Sequence, residues 1–137
     1  KERFEKKVAL VKFYPGMNPD ILGWIVDEGY RGIVIEGTGL GHVSTRCYKT
    51  LEKAGREGIV VGMTSQCIWG RVNMNVYSTG RELMALGVEP LEDILPETAL
   101  VKLMWALGQT DDIMGVRGLM RRNIAGEYSE RTLYKGD

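Results

Sequence analysis

Gly32-Ile33-Val34-Ile35 and Ile59-Val60-Val61-Gly62-Met63 are the runs whose reading decides the fold. Each is short, apolar and rich in β-branched residues, and each is followed at once by a polar or glycine-rich segment. Such runs predict strands buried on both faces, which is the situation of a parallel sheet covered by helices on either side. Between them Ser44 or Thr45 is placed to cap a helix in which Tyr48, Leu51 and Ala54 or Gly55 recur on one face before Gly58 ends it.

Working outward, the same unit repeats. Upstream, Val8-Ala9-Leu10-Val11-Lys12-Phe13-Tyr14 reads as a strand ended by Pro15-Gly16. Asn18 then caps a helix whose first position is Pro19, whose apolar face is Ile21, Leu22, Ile25 and Val26, and whose left-handed stop is Gly29. Downstream, a helix is expected from about 77 to 86, with Gly87-Val88 as a short fourth strand. Two more helices follow, one over Glu97–Leu107 after Pro96 and one starting at Asp111 or Asp112 and reaching about Arg122. Strand and helix in alternation build a parallel sheet by right-handed crossovers. The expected fold is therefore α/β: a Rossmann-like, three-layer domain with about four parallel strands and helices on both faces.

The chain has 137 residues, enough for one hydrophobic core. Its 18 Lys and Arg balance 18 Asp and Glu, so no global field draws it to nucleic acid or to an anionic membrane. Its apolar runs are far shorter than the roughly 20 residues that span a bilayer, and no secretory leader opens the sequence, which predicts a cytoplasmic protein. Cys47 and Cys67 form no Cys-x-x-Cys pair, and the single histidine cannot complete a metal site with them; free thiols in a reducing compartment and no metal are expected. The charged opening Lys1–Lys7 reads as a linker from a preceding domain, residues 8–127 as the domain itself and 128–137 as a tail.

In open parallel sheets ligands gather at the carboxyl ends of strands. The stretches 36–46 and 64–76 are both expected there. In the first, Gly37-x-Gly39-x-Gly41 lacks the third glycine of the dinucleotide fingerprint, follows the second strand rather than the first, and comes after Glu36, whose charge opposes a phosphate. The glycines are read as loop-forming. His42, next in the chain, suits hydrogen bonding better than catalysis. In the second stretch, Thr64-Ser65-Gln66-Cys67 brings a thiol to a strand end, yet a Cys67–His42 pair would have no third group to orient the imidazole, and burial of Cys67 as a small apolar side chain is favoured. Arg71, Asn73 and Asn75 alternate with apolar residues, so an extended segment turns all three to one side, where they can bind a carboxylate or tie the loop to its own backbone. Arg117, Arg121, Arg122 and Arg131 read as a solvated helix face. By residue chemistry alone the chain holds a polar site with no complete catalytic set.

Taken together, Ile35–Gly41, Thr64–Cys67, Gly70–Gly80 and Pro96–Gln109 resemble the carboxy-terminal half of the asparaginase family, over about Val8 to Glu127. Within it, Phe13-Tyr14-Pro15-Gly16, Asn73–Gly80 and Asn123–Glu127 look most like the branch found in the D-type subunits of archaeal glutamyl-tRNA(Gln) amidotransferases. The resemblance implies a two-domain amidohydrolase whose amino-terminal domain carries a threonine nucleophile. Neither the Thr-Gly-Gly-Thr type nor the Gly-Thr-Asp-Thr type motif of that domain occurs here, so this domain by itself is expected to be inactive. The resemblance also implies a homodimer in which the carboxy-terminal domain completes the neighbour's site. His42 stands where asparaginases have an Asn, and Asn73, or by a shifted alignment Asn75, stands near the second site position; Gln66 and Arg71 belong to the same expected lining. An amidotransferase partner subunit using ATP and Mg²⁺, with tRNA met only through the complex, follows from the same likeness. A free-standing cytosolic asparaginase and a non-catalytic binding module are the rival readings.

Overall fold

The structure is a computed structural model that describes residues 3–14, 17–37, 47–65, 84–91 and 93–122. Four parallel strands form one sheet in the order β1-β2-β3-β4: β1 (Val8–Lys12), β2 (Gly32–Gly37), β3 (Val60–Ser65) and β4 (Glu89–Pro90). The described helices are α1 (Asp20–Asp27), α2 (Tyr48–Arg56), α3 (Pro96–Gln109) and α4 (Ile113–Arg121). The sheet has two buried faces, as the uninterrupted apolar runs predict. Side chains alternate along each strand. Val11, Ile33, Ile35, Val61 and Met63 point to a layer with Leu22 and Val26 of α1 and Leu51 and Ala54 of α2. Val8, Val34 and Val60 point the other way, to Leu103, Ala106 and Leu107 of α3 and Val116 and Met120 of α4. The three-layer α/β expectation holds.

Close approach shapes the second layer. A Cβ on Gly32 would stand 2.8 Å from Leu103 Cδ2 and 2.9 Å from Leu107 Cδ1, so the missing side chain lets α3 lie directly on β2. Contacts at the far end of α3 set its direction. Its carboxyl end lies over the beginnings of the strands, where Glu5 N donates to Met104 O at 2.9 Å and Gln109 Nε2 to Arg3 O at 3.2 Å. Its first turn therefore lies toward the strands' carboxyl ends.

Most predicted elements are found, several with shifted ends. Strand β1 stops at Lys12, although Phe13 N still donates to Glu36 O at 2.9 Å and the Phe13 ring is buried. Helix α1 starts one residue later than expected, with Pro19 rather than Asn18 at the N-cap position; Asn18 Oδ1 still accepts from Asp20 N at 2.9 Å in the turn that leads into it. Gly29 has φ +81°, the left-handed conformation expected of a helix stop. Helix α2 begins at Tyr48, with Cys47 before it as a half-turn residue; Ser44 and Thr45 lie outside the described residues. The choice between Asp111 and Asp112 falls to Asp112, whose Oδ2 accepts from Gly115 N at 3.1 Å.

Three boundaries need correction. Glu36 and Gly37 belong to β2, and Thr64 and Ser65 to β3, because pairing continues through Glu36↔Thr64 and Gly37↔Ser65. The two loops thus begin about two residues later than their polarity suggests. The fourth strand is Glu89–Pro90 rather than Gly87-Val88: Gly87, at φ +96°, still turns the chain, and pairing starts at Gly62↔Glu89. Of the helix expected over 77–86, only Met84, Ala85 and Leu86 are described, the first two of them helical.

Candidate functional site

The strand order does not reverse within the described sheet, so the topology alone does not single out one crevice as it does in doubly wound sheets. The chemistry of the strand ends has to locate the site. Gly37 and Ser65 are register partners on adjacent parallel strands, which lie about 4.8 Å apart. The two stretches that carry the candidate residues therefore leave the sheet side by side, from the same edge.

Of the sequence-derived candidates, Gly37 is described, and it closes β2 instead of forming the loop. His42, Gln66, Arg71, Asn73, Asn75, Gly39, Gly41 and Cys67 lie outside the described residues. Chain length still bounds them. Gln66 follows Ser65 directly, about 3.8 Å from Cα to Cα, and His42, five residues beyond Gly37, lies within roughly 18 Å of it. Asn73 and Asn75, eight and ten residues past Ser65, have a reach of roughly 30 Å, so for them the tether constrains little.

The described rim of this end is a polar row. Lys12, Glu36 and Thr64 are in register across β1, β2 and β3, and alternation turns all three to the α3–α4 side of the sheet. Exposure falls along the row. Lys12 is exposed, Glu36 half-buried, and Thr64 has no exposed surface at all. Among the described residues, Thr64 Oγ1 is a buried polar atom with no hydrogen-bond partner.

A second polar centre lies elsewhere, and the sequence shows only one half of it. Arg117 and Arg121, one turn apart on α4, converge on Glu89 of β4: Arg121 Nε donates to Glu89 Oε2 at 2.8 Å and Arg117 Nε to Oε1 at 3.1 Å, while Arg117 also donates to Gly87 O. The solvated-face reading is thereby corrected for Arg117, which is half-buried, whereas Arg121 pairs with Glu89 and stays exposed. Burial pushes the Glu89 carboxyl up, but hydrogen bonds and charge from Arg121 and then Arg117 outweigh it, and the group titrates below the ordinary carboxylate value. The spacing of the arginines was the available signal; their acidic partner is distant in sequence. Arg122 contributes a backbone carbonyl to Lys102, and Arg131 lies outside the described residues.

The sheet's other end carries a cleft of about 400 Å³ between α2 and α4, lined by Glu52, Arg56, Ile59, Leu86 and Arg117. Its residues lie at the start of β3 and before β4, opposite the candidate loops. Cys47, the described thiol, is buried. No helix among the described residues is long and apolar enough to cross a membrane.

Comparison with known proteins accords with this geometry. The family model of the glutaminase/asparaginase C-terminal domain matches residues 7–120. The D-type subunit of the glutamyl-tRNA(Gln) amidotransferase of Methanopyrus kandleri is 65% identical over 124 residues, covering 90% of this chain and 27% of that protein. The corresponding amidotransferase subunit from Metallosphaera sedula is 58% identical over 129 residues, covering 94% of this chain and 29% of that protein. Among solved structures, the thermostable L-asparaginase from Thermococcus kodakarensis superposes with a TM-score of 0.84 at 36% identity, covering 93% of this chain and 39% of that one. The chain thus spans under a third of the curated relatives it matches. With a family model matched across nearly its whole described length and the fold of a solved asparaginase, the chain belongs to the glutaminase/asparaginase C-terminal domain family.

Proposed function

We propose that the chain is the carboxy-terminal domain of the glutamine-hydrolysing subunit of a tRNA-dependent amidotransferase, in which ammonia released from glutamine converts Glu-tRNA(Gln) to Gln-tRNA(Gln). The observation that carries this reading is its 65% identity to a D-type amidotransferase subunit, well above the 36% it shares with an L-asparaginase. Residues 1–7 are the linker from an amino-terminal catalytic domain, 8–127 the domain and 128–137 its tail. The threonine nucleophile belongs to that preceding domain. Its hydroxyl oxygen attacks the carboxamide carbon of glutamine, the C–N bond breaks, the leaving nitrogen takes a proton and departs as ammonia, and water then hydrolyses the acyl-enzyme to glutamate.

The part of this chain in that reaction is to close the site. His42, Asn73 and Asn75, with Arg71 and Gln66, supply hydrogen-bond donors and acceptors suited to an amino acid's carboxylate and carboxamide. The adjacent exits of β2 and β3 support this reading, since both stretches start from one edge of the sheet. The protein acts in the cytoplasm as a homodimer, with a partner subunit that uses ATP and Mg²⁺ and brings the tRNA.

A free-standing L-asparaginase is the second reading, favoured by the likeness in fold to the Thermococcus enzyme. Assaying the full-length protein with and without its partner subunit separates the two. Release of ammonia from glutamine in preference to asparagine, with amidation of Glu-tRNA(Gln) only when the partner is present, is the expected result. Hydrolysis of asparagine alone, indifferent to any partner, would replace the amidotransferase reading with the second one.

A further inference from the structure

Helix α3 is apolar on both sides. Between Thr98 and Gln109 its one polar side chain is Lys102, which is buried and donates to Met120 O and Arg122 O. Ala99, Leu103, Ala106 and Leu107 make up the face buried in the core layer shared with the sheet and α4. The remaining apolar residues are left open to differing degrees: Val101 is 53% exposed, and Leu100, Met104 and Trp105 are only partly buried. A helix at the surface of a domain carries polar residues on its outer side, whereas one that is apolar all round has the pattern of a helix covered on both sides.

The path of the entering chain says what covers it. The residues before β1 are held, not slack. Gln109 Nε2 donates to Arg3 O at 3.2 Å, Glu5 N donates to Met104 O at 2.9 Å, and Arg31 Nη1 donates to Glu5 Oε1 at 3.1 Å. A Cβ on Gly108 would clash with Arg3 O, so the main chain crosses α3 at its glycine. Val101, Trp105 and Gly108 are spaced four and three apart, on one side of the helix. The crossing therefore sets Phe4, itself 45% exposed, at the end of the same stripe. Whatever precedes Arg3 is delivered to the outer side of α3 at a fixed point. The chain makes up only 27% and 29% of the two amidotransferase subunits compared above, so most of such a protein lies outside it.

We propose that the outer side of α3, with Val101, Trp105 and Phe4, is the docking face for the preceding domain of the same polypeptide, which meets it with an apolar patch of its own. A domain tethered at the edge of the face binds at high effective concentration, so a short apolar stripe suffices. This inference rests on the function proposed above for the presence of that domain. The test places Val101→Glu, the milder Val101→Thr and, as a control, Ile21→Glu in the full-length protein, and reads thermal midpoints and sedimentation. Ile21 is 45% exposed on α1, across the sheet. Val101→Glu is expected to lower the midpoint by about 5 °C or more, because the new charge is buried without a partner. Val101→Thr should move it the same way by less, and Ile21→Glu by under about 2 °C, as for a solvated surface site. A Val101→Glu midpoint within about 2 °C of wild type, or an equal fall with Ile21→Glu, would overturn the inference. So would a fall accompanied by dissociation into monomers, which would give the face to a second copy. Because the midpoints are read without substrate, they decide the docking face whether or not glutamine is hydrolysed.

Discussion

At the scale of the residue, Glu89 shows how a single side chain ties the edge strand to the last described helix. Its carboxylate accepts from two guanidinium groups, both oxygens are used, and the side chain is 9% exposed. Replacing Glu89 with Gln keeps the shape but removes the charge, and should cost about 1–3 kcal/mol at pH 7. The cost should depend on pH. A carboxyl whose folded pKa is depressed contributes stability that is fully present above its unfolded value of about 4.3 and is lost as pH falls through the folded value. Urea midpoints measured from pH 7 downward should show wild type and Glu89→Gln converging below pH ~4.3; a gap that stays constant would mean the charge plays no part. This centre was illegible in the sequence because Arg117 and Arg121 lie 28 and 32 residues from Glu89, and only the crossing of α4 over β4 brings them together. His42, Asn73 and Asn75 were legible in a different sense. Their residue types allow substrate binding and loop bracing equally, and the family resemblance is what singles them out.

At the scale of the element, α4 has nine residues, two of them glycine, and would be marginal by propensity. It is held at both ends. Asp112 accepts from Gly115 N at the start, and at the finish the buried Lys102 of α3 donates from Nζ to Met120 O at 3.0 Å and to Arg122 O. A cation on the last carbonyls also complements the helix dipole. Lys102→Met keeps the aliphatic stem but removes both of these charge-assisted hydrogen bonds, which should cost about 1–3 kcal/mol. Amide exchange in α4 should speed up more than in β2, whereas a uniform change across both would remove α3 as the source of α4's order. Sequence periodicity placed the helices and the three long strands because each has a buried face on one side or both. It misjudged strand ends at Gly37 and Ser65, where polar and glycine residues suggested loops but ladder hydrogen bonds to a neighbouring strand carried pairing two residues further. Its fourth strand was displaced because Gly87 reads like a strand start and in fact completes a turn.

At the scale of the whole molecule, two apolar layers on a four-stranded sheet make a folded unit, and the stretches that carry the candidate residues follow the adjacent strands β2 and β3 in the chain. In the full-length protein, His42→Ala, Asn73→Ala and Asn75→Ala should raise the glutamine concentration needed for half-maximal ammonia release, each by roughly 5–20-fold if a hydrogen bond to substrate is lost. Unchanged kinetics in all three would remove these residues from the site. The α/β class could be read from hydrophobic runs alone, because burial on both faces leaves no polar alternation. The expectation that the nucleophile lies in another domain comes from the family resemblance alone, since no spacing rule predicts what a domain lacks. That this domain completes a site whose nucleophile lies elsewhere is tested by ammonia release from glutamine by the folded 137-residue chain, side by side with the full-length protein. Release by the full-length protein and none by the chain is the predicted result; release by the chain alone would contradict it and bring Cys67 and His42 forward as the reacting pair.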